Sequence, residues 1–264
     1  MRKTIKDILA KKKRKEKIVM LTAYDYPLAR VLDKAGIDII LVGDSVANVV
    51  LGLTATKDVG VDEMIHHAKA ARRAVENVLL IGDMPYVSYQ VDPKKAVINA
   101  RRFIDEAGCD AVKIEWFDRC LEVTEEIIKA GIPVMGHVGL TPQTAESLGG
   151  FKVQGKDAES ASKIIEGALA LEAKGCFSIV LECIPATLAR MITEQLNIPT
   201  IGIGAGIDCD GQVLVTHDVL GFFDRFRPRF AKEYINLNSL ILKAITQFKQ
   251  EVETGQFPTA AHSY

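Results

Sequence analysis

Soft metal ligands are scarce in this chain, with five cysteines and five histidines in 264 residues. Cys109, Cys120, Cys176, Cys183 and Cys209 are odd in number and never spaced as C-x-x-C. That pattern speaks against a zinc knuckle or a disulfide frame and for reduced, mostly structural thiols of a cytosolic protein. His66 and His67 are adjacent rather than four apart, so they do not make the helical zinc pair. Long apolar runs are missing too: none approaches the ~20 residues of a membrane helix, and the N-terminus has no continuous apolar leader segment. An excess of either charge is also absent. The 33 Lys and Arg nearly balance 34 Asp and Glu, for a net charge of −1, leaving no field for nucleic acid and no polybasic membrane anchor. The one basic cluster, Lys11 to Lys15, has no apolar partner face and reads as a solvated helix end. Solenoid-period repeats, low-complexity tracts and Pro/Gly/Ser linkers are lacking, so a single domain over 1–264 is expected.

What the chain does have is rhythm. Short apolar runs at Ile18 to Ala23, Ile37 to Val42, Val78 to Ile81, Ala111 to Ile114, Ile132 to Met135, Ser178 to Leu181, Pro199 to Ile203 and Val213 to Val215 alternate with helix-patterned stretches. Those stretches include Val61 to Glu76, Pro93 to Ala107, Leu121 to Lys129 and Ala158 to Lys174. Strand-helix alternation means parallel strands joined by right-handed crossovers. The runs are continuously apolar, as strands covered on both faces must be. Eight of them in a chain near 250 residues favour a closed (β/α)₈ TIM barrel, an α/β fold; a doubly wound open sheet is the alternative. A helical tail, Lys232 to Val252, would pack outside or at a subunit contact.

The polar residues fall where such runs end. Leu41-Val42-Gly43-Asp44-Ser45, Leu80-Ile81-Gly82-Asp83, Val112-Lys113-Ile114-Glu115, Met135-Gly136-His137 and Val180-Leu181-Glu182 each close an apolar strand with an acid, a lysine or a histidine. The carboxyl rim is where parallel α/β folds hold ligands, in a barrel or an open sheet. Each residue also has a plainer account. Asp44 or Asp83 would cap the next helix, and a lone His137 is more often structural. Lys113 and Glu115 resist it, since they share one face of a strand and buried charges are costly unless paired or liganded. Three carboxylates with few histidines suit a hard cation such as Mg²⁺, directly or through water, so Asp44, Asp83 and Glu115 are the ligand candidates. The Gly-rich Ile201 to Gly206 lacks both the Walker ending and the G-x-G-x-x-G register. Its glycines are better read as letting the backbone approach a ligand or strand. No G-x-S-x-G elbow is present, and Ser45 reads as a substrate contact.

Taken in order, Leu21 to Asp25, Gly43 to Ser45 with Asn48 to Gly52, Gly82 to Tyr89, His137 to Gln143, Gly149 to Gly155 and Ile198 to Val215 resemble the ketopantoate hydroxymethyltransferase family across nearly the whole chain. The resemblance implies Mg²⁺ at Asp44, Asp83 and Glu115, and an oxo-acid substrate at Asp44, Ser45, Asp83 and Lys113. It further implies Glu182 as proton acceptor, 5,10-methylenetetrahydrofolate as one-carbon donor, and a large homo-oligomer, a decamer. His137 would hydrogen-bond the substrate or orient Glu182. After Val112-Lys113-Ile114-Glu115 the family continues with small glycines, whereas this chain has Trp116-Phe117. Competing readings are a Mg²⁺-dependent lyase of the phosphoenolpyruvate mutase and isocitrate lyase type, whose catalytic Cys in a Lys/Gly-rich loop has no counterpart here, and an inactive barrel, which would have lost its rim charges.

Overall fold

In the computed structural model, residues 2–144 and 152–264 are described; Gly149 to Phe151 of the expected Gly149 to Gly155 motif lie outside them. All eight apolar runs are strands: β1 (Ile18–Thr22), β2 (Ile39–Val42), β3 (Leu79–Asp83), β4 (Ala111–Lys113), β5 (Val134–Gly139), β6 (Ser178–Glu182), β7 (Thr200–Ile203) and β8 (Gly211–Leu214). Every neighbouring pair is parallel, and β8 returns to β1 to close the barrel. Every strand is shifted by a residue or two at one end or both from the expected run, and β5 ends four residues later; two of these shifts matter. β5 starts at Val134, because Pro133 has no N–H for the ladder, and it runs on to Gly139, so His137 lies within the strand instead of ending it. β8 starts two residues early at Gly211, where a side chain would strike the Ile18 carbonyl at 2.6 Å.

Helix α1 (Ile5–Arg14) precedes β1, and the crossovers are α2 (Tyr26–Ala35), the short α3 (Val46–Val49), α4 (Val61–Arg72), α5 (Pro93–Asp105), α6 (Cys120–Lys129), α7 (Ala158–Ala173) and α8 (Ala186–Gln195). Their starts are written locally. Asp25, Asp92 and Asp157 accept hydrogen bonds from the N–H groups of Leu28, Lys94 and Ser160, caps worth about 1 kcal/mol each. The Lys11 to Lys15 cluster is more than a solvated helix end. Lys11 pairs with Asp38 at 2.6 Å and Lys12 with Asp210 at 2.8 Å, fixing the last turn of α1 under the barrel.

Period-two alternation sorts the strands into two cores. Ile18, Met20, Ile39, Leu41, Leu79, Ile81, Ala111, Met135, Val180, Ile201 and Val213 fill the interior, and Ile8 of α1 joins them. Val42, Leu80, Val112, Val134, Val138, Ile179 and Leu181 pack outward against the helices. Residues Met1–Leu214 and Val215–Tyr264 form two compact units. By itself, the second holds α9 (Thr216–Val219) and α10 (Leu237–Glu253), the latter capped by Asn236 and burying none of its residues. Among the described residues, no helix is long and apolar enough to cross a membrane. The five cysteines are free, four of them buried.

Candidate active site

Alternation also decides which side chains enter the mouth of the barrel. Inward positions on β3 run Leu79, Ile81, Asp83; those on β6 run Ser178, Val180, Glu182. On β4 and just beyond it the sequence is Ala111, Lys113, Glu115, and on β5 it is Met135, His137. Each strand is therefore apolar below and ionisable on top. Asp44 falls off this alternation, turned in by the loop that follows β2. Asp44, Asp83, Lys113, Glu115 and His137 are all at least nine-tenths buried.

The charges interlock. Lys113 Nζ lies 2.7 Å from Asp83 Oδ1 and 3.9 Å from Glu115 Oε1, and the Asp44 N–H donates to Asp83 Oδ2 at 3.2 Å. His137 spans two acids, with Nδ1 3.5 Å from Glu115 Oε1 and Nε2 3.3 Å from Glu182 Oε2. Those are ion-pair separations; neither ring nitrogen has a well-aligned hydrogen bond. Burial pushes Asp83 up to about 7, with the charges of Asp44 and Glu115 adding to the rise and Lys113 opposing it. Burial likewise raises Glu115, against the pull of His137 and Lys113. Burial and Lys113 disfavour the His137 cation, but Glu115 and Glu182 more than offset them and bring it to about 9. For Lys113, burial is outweighed by Asp83, Glu115 and Asp44, which hold the ammonium above its ordinary value.

Helix capping does not account for these acids. Ser45, not Asp44, occupies the N-cap of α3, without a side-chain cap bond, and both Asp83 oxygens are engaged inside the cluster. Two carboxylate oxygens, Asp44 Oδ2 and Glu115 Oε1, are buried without a hydrogen-bond donor. Left so, they cost free energy; a hard divalent cation with its retained waters would satisfy them, and the all-oxygen donor set suits Mg²⁺. Among the described residues, no three His, Cys, Asp or Glu side chains form a ready cage around an ion.

All seven residues expected at the site line the carboxyl rim of β2 to β6. The remaining contacts come from residues not singled out in the sequence. The Glu115 N–H donates to Tyr89 Oη at 3.3 Å, Tyr89 Oη donates to Gln143 Oε1 at 3.3 Å, and the Gln143 N–H donates to Glu115 Oε2 at 3.1 Å. Tyr24 bridges Thr22 and Ser45, 2.8 Å from each. Tyr24, Tyr89 and Gln143 lie inside the motifs quoted above, so a signal for them existed. Gly139 sits opposite Glu182 in register at φ +98°, where a Cβ would lie 2.3 Å from the Glu182 carbonyl; only glycine suits that position.

The family model described as ketopantoate hydroxymethyltransferase matches residues 2–260. The 3-methyl-2-oxobutanoate hydroxymethyltransferase of Syntrophomonas wolfei subsp. wolfei is 55% identical over 263 residues, covering 100% of this chain and 95% of that protein. The protein of the same name from Moorella thermoacetica is 53% identical, covering 100% and 98%. Among solved structures, phosphoenolpyruvate phosphomutase from Streptomyces platensis subsp. rosaceus superposes at TM-score 0.64 with 14% identity, covering 96% of this chain and 88% of that one. Phosphonopyruvate hydrolase in complex with oxalate and Mg²⁺ gives 0.61 with 11% identity, covering 98% and 93%; at such identities the likeness speaks to the barrel alone. By the family match and by relatives more than half identical along its whole length, the chain belongs to the ketopantoate hydroxymethyltransferase family.

Proposed function

We propose that this chain transfers a hydroxymethyl group from 5,10-methylenetetrahydrofolate to 3-methyl-2-oxobutanoate, giving 2-dehydropantoate at the entry to pantothenate synthesis. Its setting would be the cytoplasm. The observation that carries this reading is the buried rim cluster, in which Lys113 and a bridging imidazole pair with three carboxylates, Asp83, Glu115 and Glu182, and Asp44 stands beside them. The names of the relatives supply the substrate.

Asp44 and Asp83, with Glu115 directly or through water, would hold Mg²⁺, which when bound supplies Lewis acidity at the ketone, worth several kcal/mol. Lys113 keeps its charge through its pair with Asp83 and offers it to the substrate carboxylate or to the oxygen on which negative charge develops. Ser45, held at the rim by Tyr24 at 2.8 Å, is a contact for the substrate. Glu182 is the least buried acid of the cluster, its side chain 13% exposed, and takes the C3 proton; a positioned base of this kind contributes roughly 10²–10⁴-fold. His137 orients Glu182 from one ring nitrogen while Glu115 steadies the other. One water opens the donor's methylene bridge, both C–N bonds breaking to release tetrahydrofolate and leave the carbon at the level of formaldehyde. The carbon freed of its proton bonds to it, and the alkoxide so formed takes back the proton that Glu182 removed.

Two assays test this. Incubating the oxo acid with protein and Mg²⁺ in deuterated buffer, without folate, should exchange its C3 proton; no exchange removes the proton-transfer role. Adding methylenetetrahydrofolate should release tetrahydrofolate only when the oxo acid is present, which a lyase would not do. We further infer a homo-oligomer from α10, whose Leu240, Ile241, Ile245 and Phe248 are 37–60% exposed, an apolar stripe of the sort that marks an interface. Ile245→Glu with Phe248→Glu should lower the mass seen in sedimentation equilibrium; an unchanged mass removes α10 from the interface.

A further inference from the structure

Beside the acid cluster lies a cavity of about 720 Å³ that the oxo acid does not need. Its size is that of sites which bury most of a drug-sized ligand, roughly 300–1,000 Å³. None of Asp44, Asp83, Lys113 or Glu182 lines it, and its link to the cluster runs through the chain. Trp116 and Phe117, in its wall, directly follow Glu115, and Gly139, also in its wall, pairs in register with Glu182. The cavity wall is thus built on the ends of the same two strands that carry Glu115 and His137.

Its wall is aromatic. Tyr86 and Phe117 meet edge to face at 6.0 Å, and Tyr89 braces Phe117 from behind the wall at 5.4 Å. Trp116 lies against α7 at Gly167, where an added Cβ would be only 3.3 Å from the indole, so the ring is held in place by a helix position with no side chain. Gln90, Thr141 and Gln154 add amide and hydroxyl groups to the lining. Fixed aromatic rings with a few polar groups are a site for a planar heteroaromatic ligand, since stacking is tolerant of ring chemistry and the polar groups set orientation.

The geometry points to this cavity as the seat of the planar bicyclic ring of the one-carbon donor, with Trp116 and Phe117 as its binding wall. This rests on the transferase reading above. Trp116 is the one tryptophan of the chain, so binding can be followed without turnover. Titrating the full-length protein with tetrahydrofolate under anaerobic conditions should quench its fluorescence saturably, with Trp116→Phe protein as the optical blank. Replacing Trp116 and Phe117 together by Gly should raise the KM for methylenetetrahydrofolate roughly tenfold, the loss of a stacked ring, and move the KM for the oxo acid by less than about twofold. Trp116→Phe should restore most of the donor affinity.

An unchanged donor KM in the Gly pair, or no quenching in protein that turns over, overturns the proposal. So does a parallel rise of both KM values, which would make the wall a general support of the site. Proton exchange on the oxo acid needs no donor and separates the two levels. Exchange without transfer from the folate sinks the donor site and leaves the enolising chemistry standing, whereas absence of exchange sinks the transferase reading itself.

Discussion

Asp33, at the N-terminal end of the barrel, accepts the backbone N–H groups of Glu76, Asn77 and Val78 and the Asn77 side-chain amide. Asp83, at the carboxyl end, shares one lysine with Glu115 and sits beside Asp44. Both are almost fully buried. For Asp33, burial alone would raise the pKa, but the hydrogen bonds from Asn77, Val78 and Glu76 more than offset it and hold the carboxyl below its ordinary 3.8; Asp83 is driven to about 7. Asp38 repeats the first pattern, burial being outweighed by Lys11, Lys3 and the Val19 N–H. Asp110 and Asp210 likewise receive the N–H groups of Leu80 and Thr200. Acids on one rim are met by backbone N–H groups and lysines, Asp38 Oδ1 through its ion pair with Lys3 at 2.8 Å; on the other, Asp44 Oδ2 and Glu115 Oε1 have no hydrogen-bond donor. A barrel can afford that only where a ligand completes the set, which is the physical content of a stability rim opposite a functional one.

The sharpest break of this contrast is catalytic. Glu182→Gln should cut C3-proton exchange by roughly 10²–10⁴-fold while shifting unfolding by no more than about 0.5 kcal/mol, as for a partly exposed side chain with few bonds. Asp83→Ala should abolish most Mg²⁺-dependent activity, and an unchanged metal titration would take Asp83 out of the ligand set.

The opposite rim should respond in reverse. Asp33→Ala strands three backbone donors in the interior and should cost about 2–4 kcal/mol in denaturant unfolding, with kcat per folded molecule unaltered. The sign of the pH dependence follows from the lowered folded pKa. Folded Asp33 gives up its proton more readily than the unfolded chain, so its contribution is fully present above about pH 4 and lost as pH falls through the lowered value. The stability gap between wild type and Asp33→Asn should therefore narrow on acidification. A gap independent of pH would mean the carboxylate charge is not what the backbone N–H groups require.

Much of this was legible beforehand. A parallel strand covered on both faces has to be apolar throughout, so Ile39 to Val42 or Leu79 to Ile81 announce themselves, and a charge that ends such a run stands out. The same logic, read backwards, marks the other rim: Asp38, Asp110 and Asp210 stand just before β2, β4 and β8. Less legible was what depends on geometry across the chain. His137 reads as a strand end until β5 is seen to keep pairing with β6 as far as Gly139. Asp44 does not follow the inward alternation, and Tyr89 and Gln143 reach Glu115 from loops some 26 and 28 positions away, a closure no local pattern encodes. Trp116 reads as a departure from the family's small residues, and only the cavity gives it a place.

Those loop residues allow the finest test of the contrast. Tyr89 is buried, and burial together with the Glu115 charge raises its phenol well above the ordinary range, so it stays neutral and serves as a relay of hydrogen bonds between Gln143 and the backbone of Glu115. Tyr89→Phe keeps the ring packed on Phe117 and Tyr86 but removes one donor and one acceptor. The loss in stability should be about 1 kcal/mol. If the functional rim is held rigid by its surroundings, kcat should fall only a fewfold, since Glu115 keeps the Gln143 N–H. A fall as large as that of Glu182→Gln would instead mean that Glu115 depends on Tyr89 for its position, and that the functional rim, unlike its opposite, is built on a single hydrogen-bonded strut.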